Sequence, residues 1–338
     1  MQRVAVVGAT GYTGLECCRL IVAHPNLVLT HVFSTSTVGQ PFSDVYPQFK
    51  SHVDLELTSF DPKNVPSDID VLMLAVPHAT SHQMMSDLDP LTIKIIDLSA
   101  DFRLDDPAQF KAYYAQTHQS PTLMSQFVYG LPEIFADSIS KSIRCANPGC
   151  YATSIILGLY PFVSESIALS GLVVDAKSGV SGAGRKQSIT TQYCEVSQSF
   201  SAYSTGGHRH CAEIECILGQ SIFFSPHLVP MSRGILSSIY FDWPEGMSLG
   251  DVEALFHTCY SEHLFVNLDC VSQPDTKLVS GSNECRLWVR HFPDHNKGVV
   301  FSALDNLLKG AAGQAIQNLN LMYGFDASAG LPKLASYL

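Results

Sequence analysis

Val4-Ala5-Val6-Val7-Gly8-Ala9-Thr10-Gly11-Tyr12-Thr13-Gly14 decides the fold of this chain. A continuous apolar run with three valines ends at Gly8, and a helical pattern follows in Leu15, Cys18, Leu20, Ile21 and Val22. The order is strand, glycine-rich turn, helix. Glycines at 8, 11 and 14 allow a tight turn, close approach of the backbone to a pyrophosphate, and close packing of helix on strand. The helix N-terminus adds N–H groups and a positive partial charge for phosphate. The spacing is G-x-x-G-x-x-G, with the middle glycine displaced from the usual dinucleotide pattern. Its place directly after the first strand is what gives it weight. Gly8, Thr10, Gly11, Tyr12, Thr13 and Gly14 are therefore expected to cradle a nucleotide cofactor.

Outward from that turn, Leu27–Phe33 reads as a second strand, a fully apolar run recurs at Val71–Val76, and a run apolar but for Lys94 and Asp97 follows at Ile93–Leu98. Strands buried on both faces belong to a parallel sheet. With helical stretches between them, residues 1–148 read as an α/β, Rossmann-type domain. After Pro148 the texture changes. Tyr151–Val163 has helical periodicity, and strands are expected at Leu172–Ala176, Ile235–Trp243, Arg286–Phe292 and Val299–Leu304. Polar, turn-rich segments separate these strands, which predicts a mixed or antiparallel sheet over 149–304. Asp305–Tyr323 reads as one long amphipathic helix, with Asn306, Gln314, Gln317 and Asn320 on its polar positions.

Composition narrows the function classes. Among 338 residues, Lys and Arg number 20 and Asp and Glu 31, a net charge of −11. Hydrophobic residues make up 46% and charged ones 15%, which excludes a disordered chain. The acidic balance argues against a nucleic-acid partner but permits a local basic pocket for an anionic small molecule. The ten cysteines include no C-x-x-C pair, and the start Met-Gln-Arg-Val-Ala carries no secretory signal. No apolar run approaches the roughly 18 residues that cross a bilayer. A cytoplasmic protein with reduced thiols and no membrane partner is expected.

The second strand ends in Ser34-Thr35-Ser36, and no carboxylate follows before Asp44. An NAD site usually places an acid there for the ribose 2′-hydroxyl. Three hydroxyls suit a 2′-phosphate instead, so the expected cofactor is NADP(H).

Asn147-Pro148-Gly149-Cys150-Tyr151 is the sharpest chemical feature. A turn at Pro148 and Gly149 puts Cys150 at a helix start, where the positive end of the dipole favours the reactive thiolate. Cys17, Cys18, Cys145, Cys216, Cys259 and Cys270 read as inert core residues. A nucleophilic thiol needs a base, and His208-Arg209-His210 is the best supplier. The alternative of a metal held by His208, His210 and Cys211 lacks an acidic or C-x-x-C partner, so no metal is expected. Lys177-Ser178-Gly179-Val180-Ser181-Gly182-Ala183-Gly184-Arg185 reads as an anion-binding loop, and Arg103, Arg209 and Arg233 add guanidinium groups. These parts fit a thiolate that attacks an acyl phosphate, expels phosphate, and passes a thioester to nicotinamide for reduction. A redox sensor built on Cys150 would leave the base block and anion loop unexplained. A cysteine hydrolase would leave the glycine turn unused.

The chain resembles the N-acetyl-γ-glutamyl-phosphate reductases of arginine biosynthesis, within the semialdehyde dehydrogenase superfamily. The resemblance spans nearly the whole length. It is carried by Gly-Ala-Thr-Gly-Tyr-Thr-Gly at 8–14, Leu-Ala-Val-Pro-His at 74–78, Asp-Leu-Ser-Ala-Asp-Phe-Arg-Leu at 97–104 and Tyr-Gly-Leu-Pro-Glu at 129–133. Asn-Pro-Gly-Cys-Tyr at 147–151, Ser-Gly-Val-Ser-Gly-Ala-Gly-Arg at 178–185 and Gly-His-Arg-His at 207–210 continue it. His-Leu-Val-Pro-Met-Ser-Arg-Gly at 227–234 and Asp-Asn-Leu-Leu-Lys-Gly-Ala-Ala-Gly-Gln-Ala at 305–315 complete it.

The resemblance implies an α+β substrate and dimerisation domain after the nucleotide domain, the latter completed by the C-terminal segment 305–338. It implies Cys150 as nucleophile and a histidine of the H-R-H block as acid/base, His208 ahead of His210. It places Pro77, Ser178, Gly179, Gly182 and Asn306 at the cofactor, with Asn306 approaching the nicotinamide. Arg103, Asn147, Arg185, Arg209 and His210 fall to the substrate. NADPH, a small-molecule substrate with phosphate as co-product, and a homodimer or homotetramer follow from the same likeness. Two departures stand near helix starts: Ala152, where the family often has Pro, and Cys211-Ala212-Glu213, where it more often reads x-Pro-Glu. The Ser34–Ser36 stretch also lacks the Arg often found there.

Overall fold

The computed structural model describes residues 1–336. The chain divides into two compact units. The first is Met1–Pro148 with Ala311–Leu331; the second is Gly149–Gly310 with, among the described residues, 332–336.

The first unit is built on seven strands: β1 (Gln2–Val7), β2 (Leu27–Phe33), β3 (Leu57–Thr58), β4 (Val71–Leu74), β5 (Lys94–Asp97), β6 (Val128–Tyr129) and β7 (Arg144–Ala146). Their order is β3-β2-β1-β4-β5-β7-β6, and every pairing is parallel. Val71 to Leu74 are completely buried, as an interior parallel strand with both faces covered requires. The strand order reverses between β1 and β4, so the crevice beyond their carboxyl ends is the binding position of an open α/β sheet. The turn after β1 and the segment 75–78 after β4 both lie there.

The C-terminal segment departs from the single amphipathic helix expected. Leu308–Ala312 forms a wide π-type turn, and the α-helix runs only over Gly313–Met322. Its polar residues do not face water. Gln314 Nε2 donates to Gly130 O at 2.9 Å, Asn318 Nδ2 to the same oxygen at 2.8 Å, and Gln317 Nε2 to Glu133 Oε1 at 3.2 Å. Asn320 donates to Ala327 O and Ala329 O, and its Oδ1 lies 2.9 Å from His24 Nε2. These amides satisfy buried backbone carbonyls of the first unit, which periodicity alone reads as a solvent face.

The second unit holds β8 (Val173–Gly179), β9 (Ser201–Ala202), β10 (Phe223–Val229), β11 (Ile235–Asp242), β12 (Val266–Leu268), β13 (Cys285–Phe292) and β14 (Lys297–Leu304). The order is β12-β13-β14-β11-β8-β10-β9, with β10/β8 and β12/β13 parallel and the other pairs antiparallel. The mixed sheet matches expectation. β10 was not legible because Pro226 interrupts its run, and proline demotes a strand reading.

The Cys150–Ser164 helix packs on β11 and β14. Gly158 permits the approach, since a Cβ there would lie 2.7 Å from Ile239 Cδ1. Beneath the first turns, Ser154 Oγ meets Ser237 Oγ at 2.8 Å and Ser302 Oγ at 3.0 Å. Pro161 sits inside the helix and has no N–H to offer Leu157 O. The hydroxyl of Tyr260 supplies the missing donor at 2.7 Å.

Cys17, Cys18 and Cys145 are buried, as expected of core thiols. Cys216 and Cys270 are not core residues: both are exposed, and Cys259 is half-buried. Composition alone has no means of ranking thiols on a helix flank or a loop.

Candidate active site

In the first unit the glycine turn is shaped by its neighbours. Gly8 adopts a φ of +80°, and a Cβ there would lie 2.2 Å from Ala75 O. A Cβ on Gly14 would lie 2.2 Å from Gly8 O. Gly8 N and Ala9 N both donate to Phe33 O at 3.0 Å, which fixes the turn against the end of β2. Gly11 is the N-cap of the Tyr12–Val22 helix, with no side chain over the first-turn N–H groups and no acid in that turn. The result is an open cradle of N–H groups at the positive end of a helix. Thr10, Gly11 and Thr13 are partly exposed, Tyr12 is exposed and Gly14 is buried.

The three hydroxyls after β2 separate into two roles. Ser34 is buried, and its Oγ lies 3.0 Å from Thr10 Oγ1 and accepts from Ser36 N at 3.3 Å. It builds the turn. Thr35 and Ser36 are exposed beside it. Pro77 is exposed at the carboxyl end of β4, so the structure gathers the glycine turn, Thr35, Ser36 and Pro77 along the same edge of the sheet.

Sequence reading missed a carboxyl pair below the Pro77 segment. Asp97 is fully buried; its Oδ1 accepts from Ser99 N at 2.9 Å and its Oδ2 lies 2.8 Å from Ser81 Oγ. Asp101 Oδ1 accepts from Ala79 N at 2.7 Å and its Oδ2 from His82 N at 3.1 Å. Burial, and then the charge of Asp101, pushes the Asp97 carboxyl up to about 7. The block at 97–104 carried this signal, but read singly its acids are indistinguishable from surface charge. In the same block Arg103 Nε donates to Asn147 O at 2.7 Å and Arg103 Nη2 to Leu98 O at 3.0 Å. Asn147 Nδ2 donates to Ala311 O, and its Oδ1 accepts from Asn318 Nδ2, both at 3.1 Å. These contacts of Arg103 and Asn147 shape the turn that closes β7.

In the second unit, a cavity of about 390 Å³ is lined by Cys150, Ser178, Gly182, His208, Arg209 and His210 among others. Cys150 is the first residue of its helix, partly exposed, with Gly149 as N-cap at φ −73° and ψ 149°. Gly310 packs against it so closely that a Cβ would lie 2.8 Å from Cys150 Cβ.

His208 and His210 are buried with ring centroids 4.7 Å apart. His208 Nδ1 accepts from His210 N at 3.2 Å, so the proton of the neutral ring is assigned to Nε2. Burial, and then the charge of Arg209, pushes His208 down to about 4. Tyr151, Tyr203 and Phe224 pack edge-on around that ring. Tyr203 also lines the cavity, donates to Tyr151 Oη at 3.1 Å, and is pushed up to about 12 by burial. No sequence motif pointed to it.

Asn306 is buried; its Oδ1 accepts from Gly234 N at 2.8 Å and its Nδ2 donates to Ser181 Oγ at 2.9 Å. It anchors the 178–184 loop. Gly179 lies on Met231–Arg233, where a Cβ would come 2.8 Å from Met231 O. Arg185 is exposed and does not line the cavity, and Arg233 pairs with buried Asp305 at 3.3 Å. Among the described residues no group of three or more His, Cys, Asp or Glu side chains is arranged to hold a metal ion.

Residues 3–142 match the NAD binding domain of semialdehyde dehydrogenase, and residues 150–306 match the semialdehyde dehydrogenase dimerisation domain. A Halothermothrix orenii protein named N-acetyl-gamma-glutamyl-phosphate reductase is 41% identical over 346 residues, covering 100% of both chains. The protein of that name from Alkaliphilus metalliredigens is 42% identical, covering 99% of both. The chain belongs to the N-acetyl-gamma-glutamyl-phosphate reductase family. Membership makes it an oxidoreductase. Solved structures share the fold at low identity. Vibrio cholerae aspartate semialdehyde dehydrogenase II complexed with ASA has a TM-score of 0.73 at 14% identity, over 96% of this chain and 99% of that one. Candida albicans aspartate semialdehyde dehydrogenase with NADP has a TM-score of 0.73 at 13% identity, over 96% and 98%.

Proposed function

We propose that the chain reduces N-acetyl-γ-glutamyl phosphate to N-acetyl-L-glutamate 5-semialdehyde and phosphate with NADPH, in arginine biosynthesis. The observation that carries this reading is Cys150 at a helix start, sharing one cavity with His208, Arg209 and His210. Family membership supplies the substrate class.

The residues of the first unit fit the cofactor. Gly8 and Gly14 let the turn close against backbone where a Cβ would collide with Ala75 O and Gly8 O, and the helix they open carries no cap of its own, so its first N–H groups are left for a pyrophosphate. Thr35 and Ser36, exposed and followed by no acid in the sequence before Asp44, suit a 2′-phosphate, which supports NADP(H) over NAD. Nicotinamide, when bound, supplies hydride to the carbonyl carbon of the acyl group.

Cys150 acts as thiolate, favoured by the helix dipole and by Arg209 on the same cavity. Its sulfur bonds to the acyl carbon while the carbon–oxygen bond to phosphate breaks, and phosphate leaves with the electron pair. After reduction at that carbon, the carbon–sulfur bond breaks, the aldehyde leaves and the thiolate is restored. Proton handling falls to His208 and His210. At pH 7 His208 is neutral, and its Nδ1 is held by the His210 N–H. It therefore acts through Nε2–H, a donor suited to charge growing on the acyl oxygen. Arg209 is the cavity's guanidinium for the anionic groups of the substrate; Arg185 lies at the end of the neighbouring loop.

The acidic net charge argues for no nucleic-acid partner, and among the described residues no helix is long and apolar enough to cross a membrane. The reading places the enzyme in the cytoplasm as a homodimer or homotetramer, supported by the match to a dimerisation domain. The test is phosphate-dependent reduction of NADP by N-acetylglutamate semialdehyde. Cys150→Ser should abolish turnover while cofactor binding, followed by fluorescence, persists. Undiminished turnover in that variant rejects the mechanism.

A further inference from the structure

We propose that Glu213 is a positioning residue for the Cys150 thiol, an inference that rests on Cys150 being the nucleophile. Gly149 N donates to Glu213 Oε1 at 2.7 Å, and Glu213 is only 2% exposed. Gly149 is the N-cap of the thiol-bearing helix and has no side chain to cap it, and the first turn of that helix carries no acid. A local cap of Ser or Asp would lay its oxygen over the first-turn N–H groups beside the sulfur. A carboxylate arriving from another helix takes the Gly149 N–H and leaves that ground open.

Glu213 lies in the first turn of the His210–Leu218 helix, one turn beyond His210, and that helix packs on the Cys150–Ser164 helix. The hydrogen bond therefore ties the turn that aims the thiol to the segment that carries both imidazoles. Cys150 and the His208–His210 block keep their mutual geometry because one buried carboxylate holds the first and grows from the second. Its charge opposes thiolate at the adjacent residue. Tyr151, Tyr203, His208, Arg209 and His210 face Cys150 across the cavity, and Lys309 lies in the turn whose Gly310 packs against it. Buried Asp305 belongs to that same turn and pairs with Arg233, whereas Glu213 is bonded to the residue next to Cys150.

The experiment compares Glu213→Gln, which keeps an acceptor oxygen, with Glu213→Ala, which removes it. Turnover is measured together with the pH profile of Cys150 alkylation by iodoacetamide, read by mass spectrometry in the absence of substrate. Glu213→Ala should lower kcat about 10- to 100-fold with KM for NADPH unchanged, as misplacement of a reacting atom does. Glu213→Gln should recover kcat to within about threefold of wild type, and its alkylation profile should move on the order of half a unit toward lower pH. Wild-type turnover in Glu213→Ala overturns the proposal, as does a Gln variant that falls as far as Ala or an unshifted alkylation profile. The alkylation arm needs no acyl phosphate. A failed substrate assignment therefore shows as no turnover by the wild-type protein, a failed nucleophile as undiminished turnover of Cys150→Ser, and a failed role for Glu213 shows here.

Discussion

His208 shows how one backbone hydrogen bond can set a side chain's chemistry. The His210 N–H occupies Nδ1, and an imidazolium would have to turn a proton toward that donor. Burial, and then the charge of Arg209, hold the ring neutral down to about 4. The folded value lies below the ordinary 6.5, so the unfolded chain binds the extra proton in between. The stability that the neutral ring contributes is complete above about 6.5 and is lost as pH falls toward 4. His208→Gln keeps an N–H near the Nε2 position and does not titrate. It should retain about tenfold more turnover than His208→Ala, and its melting temperature should fall less steeply than wild type between pH 6.5 and 4. Equal activities for the two variants, measured at saturating substrate, would remove the donor role. At this scale the sequence was informative where residue type and position coincide, as at Cys150. It was silent where function depends on which atom a neighbour occupies, as at His208, Tyr203 and Ser34.

Among elements, the Cys150–Ser164 helix carries a defect and its repair. Pro161 leaves Leu157 O without its usual donor, and Tyr260 reaches from the Leu249–Tyr260 helix to replace it. Tyr260→Phe removes the hydroxyl and little volume. It should cost about 1–3 kcal/mol in urea unfolding, with kcat near wild type. No loss of stability would show that the carbonyl is satisfied in another way. The helix itself was legible, because Tyr151–Val163 repeats apolar residues at helical spacing. So were β1 and the core of β4, whose valine and leucine runs are buried on both faces, and β2, where Leu27 and Leu29 are buried and Val28 is exposed. The last helix was misread for a physical reason. Gln314, Gln317, Asn318 and Asn320 are buried among carbonyls and side chains from distant segments, and a periodicity argument equates polar with wet.

Across the whole molecule, the change of texture after Pro148 coincides with the change of unit. The parallel and mixed sheets follow from patterning, continuous apolar runs before it and separated strands after it. Assembly was not legible in that way, because it depends on rows of side chains that form only once strands are in register. Phe223, Val173 and Tyr240 are cross-strand neighbours on β10, β8 and β11, and all three are exposed. The adjacent residues Phe224, Val174 and Ile239 are fully buried on the opposite, helix-covered face. The exposed row is a contiguous apolar strip, the kind of surface that a second subunit covers. Tyr240→Asp should shift the sedimentation of the protein toward smaller species while its circular dichroism stays unchanged. An unaltered assembly would place the contact elsewhere.

Gly310 carries a consequence for variation. Its missing side chain is the space that the Cβ of Cys150 fills, and any larger residue would displace the thiol proposed to react rather than a dispensable neighbour. A randomised codon at 310, passed through selection for growth, should come back as glycine, a position intolerant of substitution though it holds no reactive group.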